Sequence, residues 1–195
     1  RFTHTIPVRG KTAYGVVTMA SDPDRIRIDP SWKVLHKLDF NPGPSRLRAQ
    51  IAAGDDPVGR IQAGVRLSKD GRPADVEVVR RAMQSEPMWQ VQVRWLKALG
   101  ASQTPAALDA LVMLAATHSE VMSLGALFDA LGSYRDPRVV EVTEARLDEG
   151  LPPLARGAAY QALGAQRERA PVERLVQAAG TAGAGGFAAA GALVA

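Results

Sequence analysis

The sequence predicts a mostly α-helical chain, a solenoid of stacked helical hairpins preceded by a few β-strands. Three observations carry this reading. Ala98-Leu99-Gly100 recurs as Ala130-Leu131-Gly132 and Ala162-Leu163-Gly164, two steps of 32 residues. Prolines keep phase with it at Pro73, Pro105 and Pro137, with Pro171 two residues late. Aromatic residues make up 5% of the chain, so small apolar side chains supply most of any core, which suits closely packed helices.

Residues 1–30 read as strands. Phe2, His4, Ile6 and Val8 alternate with Arg1, Thr3, Thr5 and Pro7, the period of two that puts one face inward. Arg9-Gly10-Lys11 is a turn, and Tyr14 to Met19 is a second β-rich run. Ser21 to Asp24 forms another turn, and Arg25 to Ile28 a third strand. Three strands without closing partners make no stable sheet alone. They therefore read as the end of a β-sandwich-like domain. Residues 31–44 are a junction, broken by Asn41-Pro42-Gly43-Pro44.

The helical part spans 45–195. Expected elements are an opening helix over 45–53, then the pairs 57–68 with 73–84, 88–99 with 105–117, 120–132 with 137–148, and 153–164 with 171–179. In the proline-led helices the ring fits the first helical position, where a missing N–H costs nothing. Thr104 and Asp136, just before Pro105 and Pro137, are the expected N-caps. Leu108, Leu111, Val112 and Ala115 share one face, as do Val91, Trp95 and Leu99. The glycine of each Ala-Leu-Gly is expected to end its helix in the left-handed conformation. Residues 185–195 read as the start of one more helix. Natural stacks end in a polar cap. The apolar C-terminus, and an N-terminus that is Arg1 rather than methionine, lead to the expectation of a piece of a longer protein whose bare ends favour self-association.

Composition limits the chemistry. There is no cysteine, which removes disulfides, thiolate metal sites and cysteine nucleophiles. The compartment is left open by this, with a cytoplasmic setting as the working expectation. No stretch is long enough to span a bilayer, which takes roughly 20 apolar residues. Net charge is +4, divided unevenly: residues 1–97 carry 17 Lys/Arg against 10 Asp/Glu, and residues 98–195 carry 7 against 10. No basic run is continuous and no aromatics alternate with it, so nucleic-acid binding is not expected.

Asp56-Pro57-Val58-Gly59-Arg60-Ile61-Gln62-Ala63 resembles the DPxVRxxA opening of HEAT-like repeats of the bilin-lyase type, and Ala-Leu-Gly before a proline-led helix resembles the rest of that unit. Arg27-Ile28-Asp29-Pro30-Ser31-Trp32-Lys33-Val34-Leu35 with Leu38-Asp39-Phe40 resembles the junction of bacterial M1-family, aminopeptidase N-like metallopeptidases. There a β-sandwich hands over to a C-terminal HEAT-like domain that helps enclose the substrate chamber. The resemblance implies a non-catalytic accessory region whose partner is the upstream catalytic domain of the same polypeptide, with zinc held there by HExxH and a later glutamate. Peptide substrate or another protein is a further possible partner. The alternative is a stand-alone HEAT-like scaffold for protein binding.

Within the chain itself no catalytic, cofactor or metal residue is expected. His4, His36 and His118 lack the i, i+4 spacing of a zinc helix. Gly180 to Gly186 has glycines but no lysine, so it reads as a turn rather than a phosphate loop. Asp55-Asp56 reads as a helix N-cap rather than a cation site. Arg60, Gln92, Leu124 and Arg156 occupy one repeat position, which reads as bonding between units rather than a ligand-reading ladder. Trp89 beside Met88 reads as a packing residue, with partner contact as the alternative.

Overall fold

The computed structural model describes residues 3–7, 9–29, 33, 39–53, 56–166, 172, 174–176 and 178. Its helices are α1 (Pro44–Ala52), α2 (Pro57–Asp70), α3 (Pro73–Ser85), α4 (Trp89–Ser102), α5 (Pro105–Thr117), α6 (Val121–Gly132), α7 (Pro137–Glu149) and α8 (Pro153–Gln166). Residues 172, 174–176 and 178 are also helical. Each of the eight expected helices between 45 and 164 is present, with ends displaced by at most three residues. The expected helix over 185–195 lies outside the described residues, as do Trp32, Leu35 and Leu38.

The proline rule holds because proline stands at the start of α1, α2, α3, α5 and α7. Thr104 accepts a hydrogen bond from Ala107 N at 3.3 Å, and Asp136 one from Arg138 N at 3.0 Å, so both expected caps form. The helices make two layers. α2, α4, α6 and α8 stack in succession, with the most extensive contacts in the described chain, while α1, α3, α5 and α7 form the second layer across them. The core runs between the layers. Val91, Trp95, Leu99 and Leu111 are completely buried, as the spacing predicts.

The repeated glycines do not act as expected. Gly100 and Gly132 are helical residues, not left-handed caps. A Cβ at Gly100 would lie 2.9 Å from Ala130 Cα, and one at Gly132 would lie 3.0 Å from Ala162 Cα. Ala-Leu-Gly is thus a packing repeat: the glycine of one unit receives the alanine backbone of the next, and the leucine between them fills the core. The left-handed caps come three residues later. Gly71 (φ 66°) ends α2, its N–H bonded to Leu67 O, and Gln103 (φ 54°) ends α4 one period on. Gln103 stays in this costly conformation by donating from Nε2 to Gly100 O at 2.6 Å.

The strands expected over 1–30 are not formed: residues 3–7 and 9–29 contain no strand. Tyr14 is 94% exposed and Val16 92%. The chain does double back at the expected turn, because Ile6 packs onto Gly15, but no ladder forms between the two arms. Period-two alternation encodes a face for a sheet to cover, and it makes a strand only where a neighbouring backbone supplies the hydrogen bonds. The segment is instead tied to the helices by arginines. Arg46 Nε donates to Pro23 O at 2.9 Å and its guanidinium pairs with Asp22, while Arg27 pairs with Asp56, the N-cap of α2.

The glycine reading gives opposite signs for two similar substitutions. In a helix interior, Gly→Ala alone stabilises by about 0.5–1 kcal/mol, but overpacking costs about 1–3 kcal/mol. Gly125 of α6 has open space where its Cβ would be. Urea unfolding should therefore show Gly125→Ala more stable than the parent and Gly100→Ala less stable; equal shifts would refute the close approach.

Candidate functional site

The most developed polar constellation is a buried chain that crosses three units. Arg60 of α2 and Glu86, in the α3–α4 loop, are 5% and 7% exposed. They meet in two parallel bonds, Nε to Oε2 at 2.7 Å and Nη2 to Oε1 at 2.8 Å. The same carboxylate accepts Met88 N at 3.0 Å. Gln92 Nε2 donates to Glu86 O at 2.8 Å, and its Oε1 accepts Ser123 Oγ at 2.7 Å. His118 Nε2 lies 2.6 Å from Ser123 Oγ, and His118 O accepts from Arg146. Trp95, in the space left by Gly64, donates its indole N–H to Arg60 O at 3.0 Å.

A serine and a histidine at 2.6 Å suggest nucleophilic chemistry, but the geometry opposes it. Ser123 is completely buried and gives its hydroxyl proton to Gln92, so His118 donates to the serine rather than taking its proton. The chain's chemistry is cohesive: each member fixes a loop of one unit against a helix of the next. The repeat position singled out in the sequence fits this role. Arg60 and Gln92 bond loop groups, Leu124 is core, and Arg156 donates to Leu151 O at 3.0 Å.

The remaining candidates are dispersed. His4 is exposed, and His36, Asp55 and Gly180 to Gly186 lie outside the described residues. Asp56 caps α2 through Gly59 N at 3.1 Å. Among the described residues, no three His, Cys, Asp or Glu side chains converge on a point that could hold a metal, and no helix is long and apolar enough to cross a membrane. Seven of the 17 cations of the first half, Arg27, Arg46, Arg48, Arg60, Arg66, Arg80 and Arg81, pair with carboxylates.

What is open to a partner is the outer face of the α2, α4, α6 and α8 layer. Trp89 is 38% exposed, Met122 56% and Leu154 88%, each at the start of its helix. Trp89 therefore packs only in part. Sequence reasoning singled out Met88 and Trp89 but not Met122 and Leu154, although Gln90, Met122 and Leu154 repeat at 32. It missed Glu86 and Ser123 as well; Glu86 lies one period before His118, but the two share no residue type. Neither the protein-family models nor the curated proteins include a match to this chain.

Two outcomes test the polar chain. Arg60→Met leaves Glu86 buried and unpaired, which costs about 3–5 kcal/mol, whereas Arg60→Met with Glu86→Leu removes both charges and recovers much of that. A double-mutant cycle with no coupling would show the pair to be irrelevant. His118 titrates below its ordinary 6.5, first because burial disfavours the cation and then because Arg146 opposes it, against the pull of Glu120. The unfolded chain thus binds this proton more readily. Stability from His118 is full above about pH 6.5 and falls as pH drops through its lowered folded value. His118→Gln should flatten the stability–pH curve there; an unchanged slope would contradict a buried neutral imidazole.

Proposed function

We propose that this chain is a non-catalytic accessory region of an aminopeptidase N-like zinc metallopeptidase, helping to wall its substrate chamber. The observation that supports the reading most is the order of the parts. A non-helical segment, anchored by Arg27 and Arg46, leads through Asp29-Pro30-Ser31-Trp32-Lys33-Val34-Leu35 into a helical array. In the M1-family junction that the sequence resembles, a β-sandwich stands where the non-helical segment stands here, and a helical domain follows. A chamber wall must hold a fixed pose against the domain before it, and an ion-paired junction is suited to that. In this reading zinc and peptide-bond hydrolysis belong to the upstream domain, and this chain contributes shape and surface.

A second reading has its own support. Trp89, Met122 and Leu154 are exposed on one layer, and an array of helical hairpins can bind a protein there without any catalytic partner. The gene separates the two. An in-frame HExxH followed by a glutamate is expected upstream of Arg1, and the full-length protein is expected to retain zinc through dialysis and to cleave an aminoacyl anilide. An upstream region without those ligands would overturn the peptidase reading and leave the scaffold.

A further inference from the structure

On the α3, α5 and α7 side, several charges pair with one another, although Glu141 of α7 is exposed and makes no ion pair among the described residues. Glu77 takes Arg80 at 2.7 Å and Arg81 at 2.5 Å, and Asp109 takes Arg138 at 2.7 Å. On the outer face of the other layer, Arg94 and Lys97 of α4 are exposed, and among the described residues no ion pair reaches either. Asp129 of α6 is within electrostatic reach of Lys97, which leaves Arg94 unbalanced.

The same face carries the exposed apolar side chains Trp89, Met122 and Leu154, while Met113 is exposed on α5 of the other layer. On α4, the exposed positions 90, 94, 97 and 101 follow helical spacing, with Trp89 at the margin. On α6, Met122 and Asp129 occupy the corresponding places, with Gly125 between them and open space where its Cβ would be. A solvent-facing helix glycine costs about 1 kcal/mol relative to alanine. Gly100 and Gly132 are required by helix packing; Gly125 is not. It leaves open space on α6 between Met122 and Asp129.

We propose that the outer face of α4, α6 and α8 docks a peptide segment that presents large apolar side chains next to carboxylates. The apolar groups cover Trp89, Met122 and Leu154, the backbone approaches at Gly125, and the carboxylates meet Arg94 and Lys97. Charge complementarity selects this occupant. A second copy of the chain would bring the same cations against themselves with only Asp129 to offset them, and a phosphate backbone would find two cations rather than a basic row. The proposal holds whether or not the parent is a peptidase.

The test uses the 195-residue chain and a fluorescein-labelled synthetic peptide alternating leucine, phenylalanine and glutamate, followed by anisotropy. Saturable binding that weakens with added salt is expected. Trp89→Ala with Met122→Ala should weaken it by about tenfold or more, and so should Arg94→Glu with Lys97→Glu. All four positions are exposed, so circular dichroism should report unchanged helicity. The decisive arm is a matched peptide with lysine for glutamate. The parent should discriminate against it, and Arg94→Glu with Lys97→Glu should reverse the preference. No saturable binding, equal binding of the two peptides, self-association that the same variants abolish in place of peptide binding, or variants that bind like the parent would each overturn the proposal.

Discussion

The distance between helices α4, α6 and α8 governs the rest of this structure. Gly100 lets the backbone of Ala130 approach, and Gly132 does the same for Ala162. Everything that spans units depends on that closeness. Tyr134 can reach across to Leu99 O at 2.7 Å, and Ser133 to Gly100 O at 3.0 Å, only because α6, which they directly follow, lies against α4. Those two carbonyls belong to the last turn of α4, where no intrahelical N–H remains to satisfy them. Close packing thus solves a second problem: the end of α4 is completed by side chains of the following unit. Gln166, one period after Tyr134, donates to Tyr134 O at 2.9 Å in the segment that follows α6.

Packing of small residues is not sufficient to fix one register, because alanine and glycine surfaces slide with little change in contact. The buried polar chain supplies what the apolar contacts lack. Arg60 and Glu86 are bound in a fork whose two bonds are satisfied only in one alignment, and Gln92 commits each end of its amide to a different unit. Transferring such groups from water costs several kcal/mol per ion, so the network contributes less to net stability than to uniqueness. A slip of one residue would strand a buried guanidinium. That penalty is far larger than any loss of dispersion between methyl groups, and it falls on alternatives rather than on the native stack.

How much was legible follows from which signals are periodic. Proline phase, the cap residues Thr104 and Asp136 and the three-and-four spacing around Leu108 and Trp95 all act within one or two turns, and the helices formed where those signals placed them. The role of Gly100 was misread because glycine has two uses that look alike in sequence. A left-handed cap and a close approach both exclude Cβ, and only the neighbouring helix distinguishes them. Residues 3–7 and 9–29 failed for the opposite reason. Their alternation is real, but a strand is a property of two backbones, and one sequence shows only one of them. The polar chain was half visible: Arg60 and Gln92 share a repeat position, whereas Glu86 and His118, one period apart at the ends of α3 and α5, and Ser123 within α6 share no residue type that would reveal their role.

The first unit departs from the pattern in a way that bears on the junction. Where later units have glycine, α2 has Ser68, completely buried, whose hydroxyl finds no hydrogen-bond partner among the described residues, and Asp75 on α3 is buried with one carboxylate oxygen unpartnered among them. In an array whose stability is a sum over neighbouring interfaces, an end unit is held from one side only, so such defects weigh most there. The segment before the array offsets them. Arg27 pairs with Asp56 at the N-cap of α2, Asp39 meets Arg66 at 3.3 Å, and Asp22 and Pro23 take the guanidinium of Arg46 on α1. The non-helical segment is therefore part of the array's end cap, not a tether to it. An element placed before residue 22 would inherit a fixed orientation relative to α2, and through the Gly–Ala contacts relative to every later helix. Rigidity transmitted in that way is what an accessory wall and a docking face both require. It arises here from arginines at one end and missing methyl groups along the rest.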